Sequence, residues 1–441
     1  MGVRRARQSA GRYRSIKTDS AWEVNSAMRI MRIFIVLLLG LILSGCSRLS
    51  YIDRHTGTEM VPHPHIRVRI LQAGEVEIDC EGTYRLNCLT ADSTSRGYYS
   101  VSPLKLVYHD DGLVLSESDG LILDRNLLKI YVSPKVRGSH VVLNGRQFRG
   151  VMEIRAAEED IEVINLLNVE DYLKGVLPPE IGRLEEDAFE ALKAQSVAAR
   201  TYAYSRIAYN SDKDYDLVND IMDQVYIGIK GEYGLANEAI EQTRGEILTY
   251  NGKTIIAYYH STCGGFTEEA ANVWDQGNNS YLQSIDDSGY CQWSKFHDWE
   301  MTWNPEELAS YLRDYLHKNR GFNDDALVIT DIEVVERFPS GRISSLKVMT
   351  DHGEFLFFKD QIRWAFRRPE RPDLILPSSN FEIRLWQDSV GSLSEIMAAG
   401  RGYGHGVGMC QTGAIGRARA GQNYEQILRT YYSGAELKKA Y

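Results

Sequence analysis

From Ile66 to about residue 160 the chain alternates between apolar and polar side chains with a period of two. The runs Ile66-Arg67-Val68-Arg69-Ile70, Val76-Glu77-Ile78, Leu104-Lys105-Leu106-Val107-Tyr108, Leu128-Lys129-Ile130-Tyr131-Val132 and Val151-Met152-Glu153-Ile154 all keep to it. Successive side chains of a strand point to opposite faces, whereas a helix repeats every three to four residues. Alternation punctuated by Gly and Asp-Gly therefore calls for short strands joined by hairpins. Residues 66–160 are expected to be mostly β.

Beyond residue 160 the texture changes. Ile161–Leu167 reads as one more strand. Val169–Val176 reads as a short helix stopped by Pro178-Pro179, because proline lacks the donor that a helix interior needs. Residues 186–208 (EDAFEALKAQSVAARTYAYSRIA) are Ala-rich and free of Gly and Pro, the strongest helical stretch in the chain. Phe189, Leu192, Ser196, Ala199 and Ala203 fall at three- and four-residue steps, a thin core-facing stripe. Strands are expected at 245–260 and 327–358, with a turn at Pro339-Ser340-Gly341. A helix with Pro in its first turn is expected at 305–317, and another near 423–432. The fold class is α+β: a β-rich N-terminal region, 66–160, followed by a mixed α+β domain, 161–441.

The apolar run Ile33–Leu43 follows Arg29 and Arg32. It spans roughly a dozen residues, short of the ~20 needed to cross a bilayer. Basic flank, short apolar core and the small residues of Leu43-Ser44-Gly45-Cys46 read as an export signal. The last four resemble a bacterial lipoprotein box, with Cys46 as the lipidated residue. Residues 1–45 are then an upstream segment and signal peptide, and a start at Met28 or Met31 would give the signal a conventional length. Residues 46–65 form a polar tether. The expected location is the cell envelope, lipid-anchored to a membrane.

The chain carries 50 basic and 60 acidic residues; without the first 45, 42 basic and 58 acidic remain, a net of −16. So acidic a body argues against sequence-independent nucleic-acid binding, which rests on phosphate neutralisation by Lys and Arg. An apolar fraction of 43% with 25% charged residues is ordinary for a globular protein and excludes a disordered chain. Export places Cys80, Cys88, Cys263, Cys291 and Cys410 where disulfides persist. Cys80 and Cys88 could close a hairpin, and Cys263 and Cys291 are plausible partners, but spacing does not fix the pairing.

Several residues could carry chemistry. Glu180 lies after Pro178-Pro179 and ahead of the long helix, where the helix dipole favours an acid. It could equally be a general acid: glycosidic cleavage needs a proton on the leaving oxygen, and a Glu in an apolar pocket can deliver it. Leu177, the two prolines and Ile181 would form such a pocket. On the long helix, Lys193, Gln195, Ser196, Arg200 and Tyr202 make either a solvated face or a wall that binds polar substrate groups; Gln195, Arg200 and Tyr202 are the candidates. His260 and Cys263, three residues apart, could ligate a metal with Cys291 and His297, but no CxxC or HxxxH accompanies them. A disulfide beside a hydrogen-bonded His260 is the simpler arrangement, and a Cys–His nucleophile using Cys263 or Cys410 is a third. Glycines at 400, 402, 404, 406 and 408 imply positive φ or close backbone approach, and His405 in their midst is either structural or a site residue. No metal set and no cofactor is assigned.

Taken together, VEDYLKGVLPPEI (169–181), EALKAQSVAARTYAY (190–204), DQVYIG (223–228), HSTCGGFTEEAANVW (260–274), FPSGRISSLKV (338–348), LPSSNFEI (376–383) and GRGYGHGVGMCQTGA (400–414) resemble the SpoIID/LytB family of bacterial cell-wall proteins. The motifs run in the family's order from about 160 to the C-terminus. The resemblance implies one of two roles. Sporulation members are similar to lytic transglycosylases that act on peptidoglycan strands stripped of stem peptides; LytB-like members enhance a partner amidase. The family's catalytic Glu matches Glu180, here in Pro179-Glu180-Ile181 where the family often has Glu-Met-Pro. Some members bind zinc through Cys and His just upstream of the Gln-x-Tyr element; the matching stretch, Asn219–Asp223, has neither, so no zinc is expected there. A transglycosylase needs one carboxylate, which protonates the glycosidic oxygen and then serves as base while the sugar's own hydroxymethyl oxygen attacks. Hydrolases usually need two, and Glu185, Glu186 and Asp187 fit solvated first-turn acids better than a second catalytic group. The resemblance thus implies glycan strands, and possible service to a cell-wall amidase, as partners, with His260 and His405 joining the candidate substrate contacts.

Overall fold

The computed structural model describes residues 64–441 except 111, 137, 276–278 and 370. The apolar run 33–43, Cys46 and nearly all of the 46–65 tether lie outside the described residues.

The alternating region forms β1 (His65–Ala73), β2 (Glu75–Cys80), β3 (Tyr84–Thr90), β4 (Ser95–Ser100), β5 (Leu104–His109), β6 (Gly112–Glu117), β7 (Ile122–Pro134), β8 (Val141–Leu143), β9 (Arg146–Phe148), β10 (Val151–Ala157) and β11 (Asp160–Asn168). With β12 (Leu217–Val218) they build one sheet in the order β12-β1-β11-β10-β7-β6-β5-β2-β8-β9, from which β3 branches off β7 and carries β4. Period two does what the pattern demands: Ile66, Val68 and Ile70 are buried while Arg67 and Arg69 between them are not. The sheet does not stop at residue 160. β11 begins there, pairs with both β1 and β10, and is buried on both faces from Ile161 to Asn165. Cys80 and Cys88 do not close a hairpin. β2 pairs with β5 and β8, β3 with β4 and β7, so the two cysteines stand on strands that are not neighbours, and both are thiols.

Next comes α1 (Val169–Ile181), capped by the Asn168 side chain, which accepts from the Asp171 N–H at 2.9 Å. The two prolines do not end it as expected. A proline at 179 removes the donor to the Gly175 carbonyl, and that carbonyl instead accepts from the Ile227 N–H at 3.3 Å. The helix therefore runs on to Ile181 with Gly182 as its C-cap, and Glu180, still ahead of the long helix in sequence, sits in its last turn rather than at the start of the next helix. A turn of 3-10 helix at 186–188 then leads into α2 (Phe189–Tyr209). Its expected thin stripe is instead burial nearly all round: from Ala191 to Ala203 only Lys193 is not fully buried. Ala199, Tyr202 and Ala203 join the core under the large sheet, while Ala191, Leu192, Ala194, Val197 and Ala198 join a second core on the other side. A helix wedged between two cores needs small residues, which is why this one is alanine-rich.

The rest of the chain comprises α3 (Gly234–Gln242), β13 (Glu246–Tyr250), β14 (Lys253–Thr254), β15 (Tyr259–His260), the helical turns α4 (Ala270–Val273) and α5 (Ser288–Cys291), β16 (Asp298–Trp303), α6 (Pro305–Arg320), β17 (Ile329–Arg337), β18 (Ile343–Thr350), β19 (Gly353–Phe358), α7 (Gln361–Ala365), β20 (Arg367–Arg368), β21 (Arg371–Ile375), β22 (Phe381–Gln387), β23 (Leu393–Arg401), β24 (Met409–Cys410), α8 (Gln411–Arg419), α9 (Tyr424–Tyr431) and β25 (Glu436–Lys439). Residues 303–398 enclose a third core around Trp303, Phe357, Phe366 and Phe381. The fold is thus α+β, β-rich at its N-terminal side.

Two features position the site. First, β15 and β24 pair in parallel, Tyr259 with Met409 and His260 with Cys410, which brings residues some 150 positions apart side by side. The Gly-rich stretch makes this possible: Gly404 holds φ at 112°, and a Cβ there would stand 2.8 Å from that of His260. Second, α8 follows directly, a helix absent from the sequence expectation because Gly413 and Gly416 depress its propensity. Cys410 caps it, Sγ accepting from the Gly413 N–H at 3.3 Å, and the glycine is required by packing, since a Cβ on Gly413 would overlap the Asp287 carboxylate at 1.9 Å.

Candidate active site

A cleft of about 1460 Å³ is lined on one side by the end of α1 and residues 221–225, and on the other by parts of α6, β17–β19 and α7. Pro179, Glu180, Tyr259, His260, His405 and Gln411 meet along it.

Glu180 is partly accessible from the cleft. Oε1 accepts from the Val225 N–H at 2.7 Å and Oε2 from Gln411 Nε2 at 3.5 Å. Among the described residues no Lys, Arg or His forms an ion pair with it. Burial pushes its pKa up to about 7, against the pull of those two donors. The Val225 N–H is aimed by its neighbours. Gln224 is wholly buried, donating to the Tyr259 hydroxyl at 2.8 Å and accepting from the Tyr172 hydroxyl at 3.2 Å; Tyr226 donates to Asn165 Oδ1 at 2.9 Å. Burial, and then the charge of Glu180, hold the Tyr172 and Tyr259 phenols above their usual range.

The two histidines are neutral near pH 7. Burial, and then the charges of His405 and Arg342, hold His260 well below its usual range. Burial and the Arg363 guanidinium push His405 down to about 4. His260 Nδ1 lies 3.1 Å from the Val407 carbonyl, which assigns the proton to Nδ1 and leaves Nε2 an unpartnered acceptor among the described residues. His405 is the reverse tautomer: Nδ1 accepts from the Val407 N–H at 3.0 Å. The rings stand 5.6 Å apart, and Trp274 packs 4.9 Å from His405.

The other carboxylates lining the cleft are engaged. Asp223 accepts from the Tyr202 hydroxyl at 2.8 Å and pairs with Arg206 at 3.1 Å. Asp275 pairs with Lys359, Asp360 with Arg363, and Asp373 with Arg371; Glu336 accepts from the Ser344 hydroxyl. Ile221, Met222, Phe296, Phe358 and Trp364 present exposed apolar surface along the same walls.

The model of the family described as "Stage II sporulation protein" matches residues 157–250, and that of a domain of unknown function matches 287–408. An uncharacterized protein of Brachyspira hyodysenteriae is 34% identical over 67% of this chain and 73% of its own. The stage II sporulation protein D of Bacillus subtilis is 29% identical over 65% of this chain and 78% of its own. The chain belongs to the SpoIID/LytB family. It is also similar to the amidase enhancer of Bacillus subtilis, 29% identical over 60% of this chain, although the match spans only 40% of the enhancer.

Within this SpoIID/LytB chain the sequence-derived candidates separate. Glu180, His260 and His405 come together at the cleft. Arg200 does not: it is wholly buried, its guanidinium bonded to both oxygens of Glu170 at 2.9 and 2.8 Å and to the Ile240 carbonyl, because α2 lies between two cores and has no solvated face at that point. Gln195 is likewise interior, with neither amide atom partnered among the described residues. Tyr202 stands behind the wall and holds Asp223. Cys263 and Cys291 are thiols, 3.5 Å apart at sulfur. His260 and His297 do not join them: the ligand-type atoms that gather around these two sulfurs are those of Asp287 and Cys410. Cys263 and Cys410 are buried and held above the usual thiol range, which does not suit a nucleophile. At Asn219–Asp223 the residues do not fit a zinc ion either, as Asp220 accepts from the Met222 N–H and Asp223 is paired. The reading of single residues missed Val225 and Gln411, the two donors to Glu180. Both lie inside motifs that carried the family resemblance, DQVYIG and GMCQTGA, but a backbone donor leaves no mark of its own in side-chain chemistry.

Proposed function

We propose that this chain is a peptidoglycan lytic transglycosylase with Glu180 as its single general acid and base. The observation that carries the reading is the state of that carboxyl: it opens on the cleft, has no cationic partner among the described residues, and has its pKa pushed up by burial to about 7. Near neutral pH much of it is protonated, as a general acid requires, and its conjugate base is strong enough to take a proton back. It would protonate the glycosidic oxygen, then accept the proton of the sugar's hydroxymethyl group as that oxygen closes on the anomeric carbon, giving an anhydro-sugar end. The Val225 N–H would hold the carboxylate form between the two steps. The remaining cleft carboxylates are paired or hydrogen-bonded, which supports a one-carboxylate mechanism over hydrolysis. Exposed Trp364 and Phe358 suit the faces of sugar rings. The export signal, with lipidation at Cys46, would place the protein at the cell envelope beside this substrate.

The test is incubation of the protein with peptide-stripped glycan strands and mass spectrometry of the ends. Anhydro ends are expected, and Glu180→Gln should lower the rate by roughly 10²–10⁴-fold, the usual contribution of a general acid. Reducing ends would instead mean hydrolysis. A second reading, an enhancer of a cell-wall amidase, is favoured by the similarity to the Bacillus subtilis amidase enhancer. It predicts no cleavage by either protein but faster stem-peptide release when an amidase is added.

A further inference from the structure

Three cysteines far apart in sequence converge behind β15. Cys263 follows that strand, Cys291 closes α5, and Cys410 ends β24. Asp287, just before α5, completes the group. All four are buried to within 1% of full coverage. Their four ligand atoms lie within 4.8 Å of one another; Cys263 Sγ is 3.5 Å from Cys291 Sγ and 3.7 Å from Asp287 Oδ2. A tetrahedral zinc ion with Zn–S bonds of about 2.3 Å sets its sulfur ligands about 3.8 Å apart. The four atoms thus already stand close enough together to share one ion of that size.

The surroundings suit charged ligands. Cys410 Sγ accepts from two backbone N–H groups, those of Cys263 at 3.2 Å and Gly413 at 3.3 Å, the second from the first turn of α8. Donors aimed at a sulfur hold it in place and support the negative charge it takes on once a metal ion displaces its proton. Asp287 Oδ1 is held by Arg417 at 2.8 and 3.0 Å, and the Tyr431 hydroxyl donates to Oδ2 at 2.8 Å, so the carboxylate is oriented with Oδ2 toward Cys263. Partners of this kind fix metal ligands in place. A disulfide would use two of the three sulfurs and leave the third, with the carboxylate, unexplained.

We propose that Cys263, Asp287, Cys291 and Cys410 form a structural site for a thiophilic divalent cation, zinc above all. Three thiolates and one carboxylate close a four-coordinate shell with no position left for water, the arrangement of a structural ion. Binding releases the three thiol protons. The ion ties together segments that floor the cleft: Cys410 is paired with His260 and adjoins Gln411, a donor to Glu180. The site does not depend on what reaction, if any, the cleft performs.

The test begins with the full chain, isolated without chelator or reductant, then dialysed against zinc chloride and desalted. Elemental analysis should find one zinc per chain, and Cys291→Ser should lose it. Should that variant fail to fold, cobalt(II) bound to the unaltered protein decides: thiolate-to-cobalt charge-transfer bands and the intense visible bands of a tetrahedral ion are expected. Less than stoichiometric zinc with no such bands overturns the site. So does a peptide map showing Cys263 disulfide-linked to Cys291 in the isolated protein.

Discussion

The two ends of α1 each present a glutamate to the protein interior, and the two have opposite fates. Glu170, in the first turn, faces Arg200 across a bidentate contact and also accepts from the Gly245 N–H and the Tyr441 hydroxyl. Burial alone would raise its pKa, but these partners outweigh burial and hold it below the usual carboxylate range. Glu180, in the last turn, has one backbone donor and one long side-chain contact, and burial wins. Burial is common to both; the cation is not. One end of the helix is a fastening, and the other is a proton site.

The largest test of this contrast is Arg200→Met. It strands a buried carboxylate, and unfolding in urea should show a loss of about 3–5 kcal/mol, the usual result of removing one partner of a buried pair. A loss below about 1 kcal/mol would mean that the pair is not what fastens that end.

The pH dependence of stability should then separate the two acids by sign. Glu180 has a raised pKa in the fold, so its contribution is fully present below its unfolded pKa and is lost as pH rises through about 7. Glu180→Gln removes that loss. The variant should match the parent near pH 4 and exceed it by about 3 kcal/mol above pH 8, since a tenfold change in proton affinity is worth about 1.4 kcal/mol. Glu170 behaves in the opposite way: its contribution is present above its unfolded pKa and is lost as pH falls through its lowered folded value. Denaturant midpoints at several pH values read both. Equal midpoints for Glu180→Gln and the parent at pH 9 would remove the proton site.

The smallest effect concerns Gln411→Ala. Loss of one weak donor to the carboxylate should move the alkaline limb of any glycan-cleavage profile upward by less than about one pH unit. His260 and His405, neutral throughout this range, should add no limb of their own. A second limb near pH 6.5 would show that one of them titrates.

Much of this was legible in the residues. Strict alternation at Ile66, Val68 and Ile70 announced β1, and the Ala-rich run announced α2. Glu180 stood out because carboxyl, prolines and apolar neighbours are contiguous. The misreadings share one cause, which is that local chemistry was overruled by partners remote in sequence. Pro179 looked like a helix stop, but Ile227 takes up the carbonyl it orphans. Arg200 looked like a substrate contact, but Glu170, thirty residues earlier, claims it. Cys80 and Cys88 looked like a hairpin pair, but the sheet order parts them. The cysteine–aspartate cluster was half visible: Cys263 and Cys291 stood as plausible partners that spacing could not fix, while Cys410 and Asp287 reach them only through tertiary structure.

The parallel pairing of Tyr259-His260 with Met409-Cys410 has a consequence for when the cleft forms. A ribosome that has made residues 1–399 has supplied Glu180, α1 and α2, yet the strand beside His260, His405 and the Gln411 donor have still to be made. Contacts so distant along the chain form late, because the intervening loop must first be closed. The large sheet has its last strand once Val218 has been made, so it can order before the Gly-rich stretch is supplied. The cleft is thus assembled among the last parts of the molecule, and a partly made chain carries Glu180 without the walls that surround it.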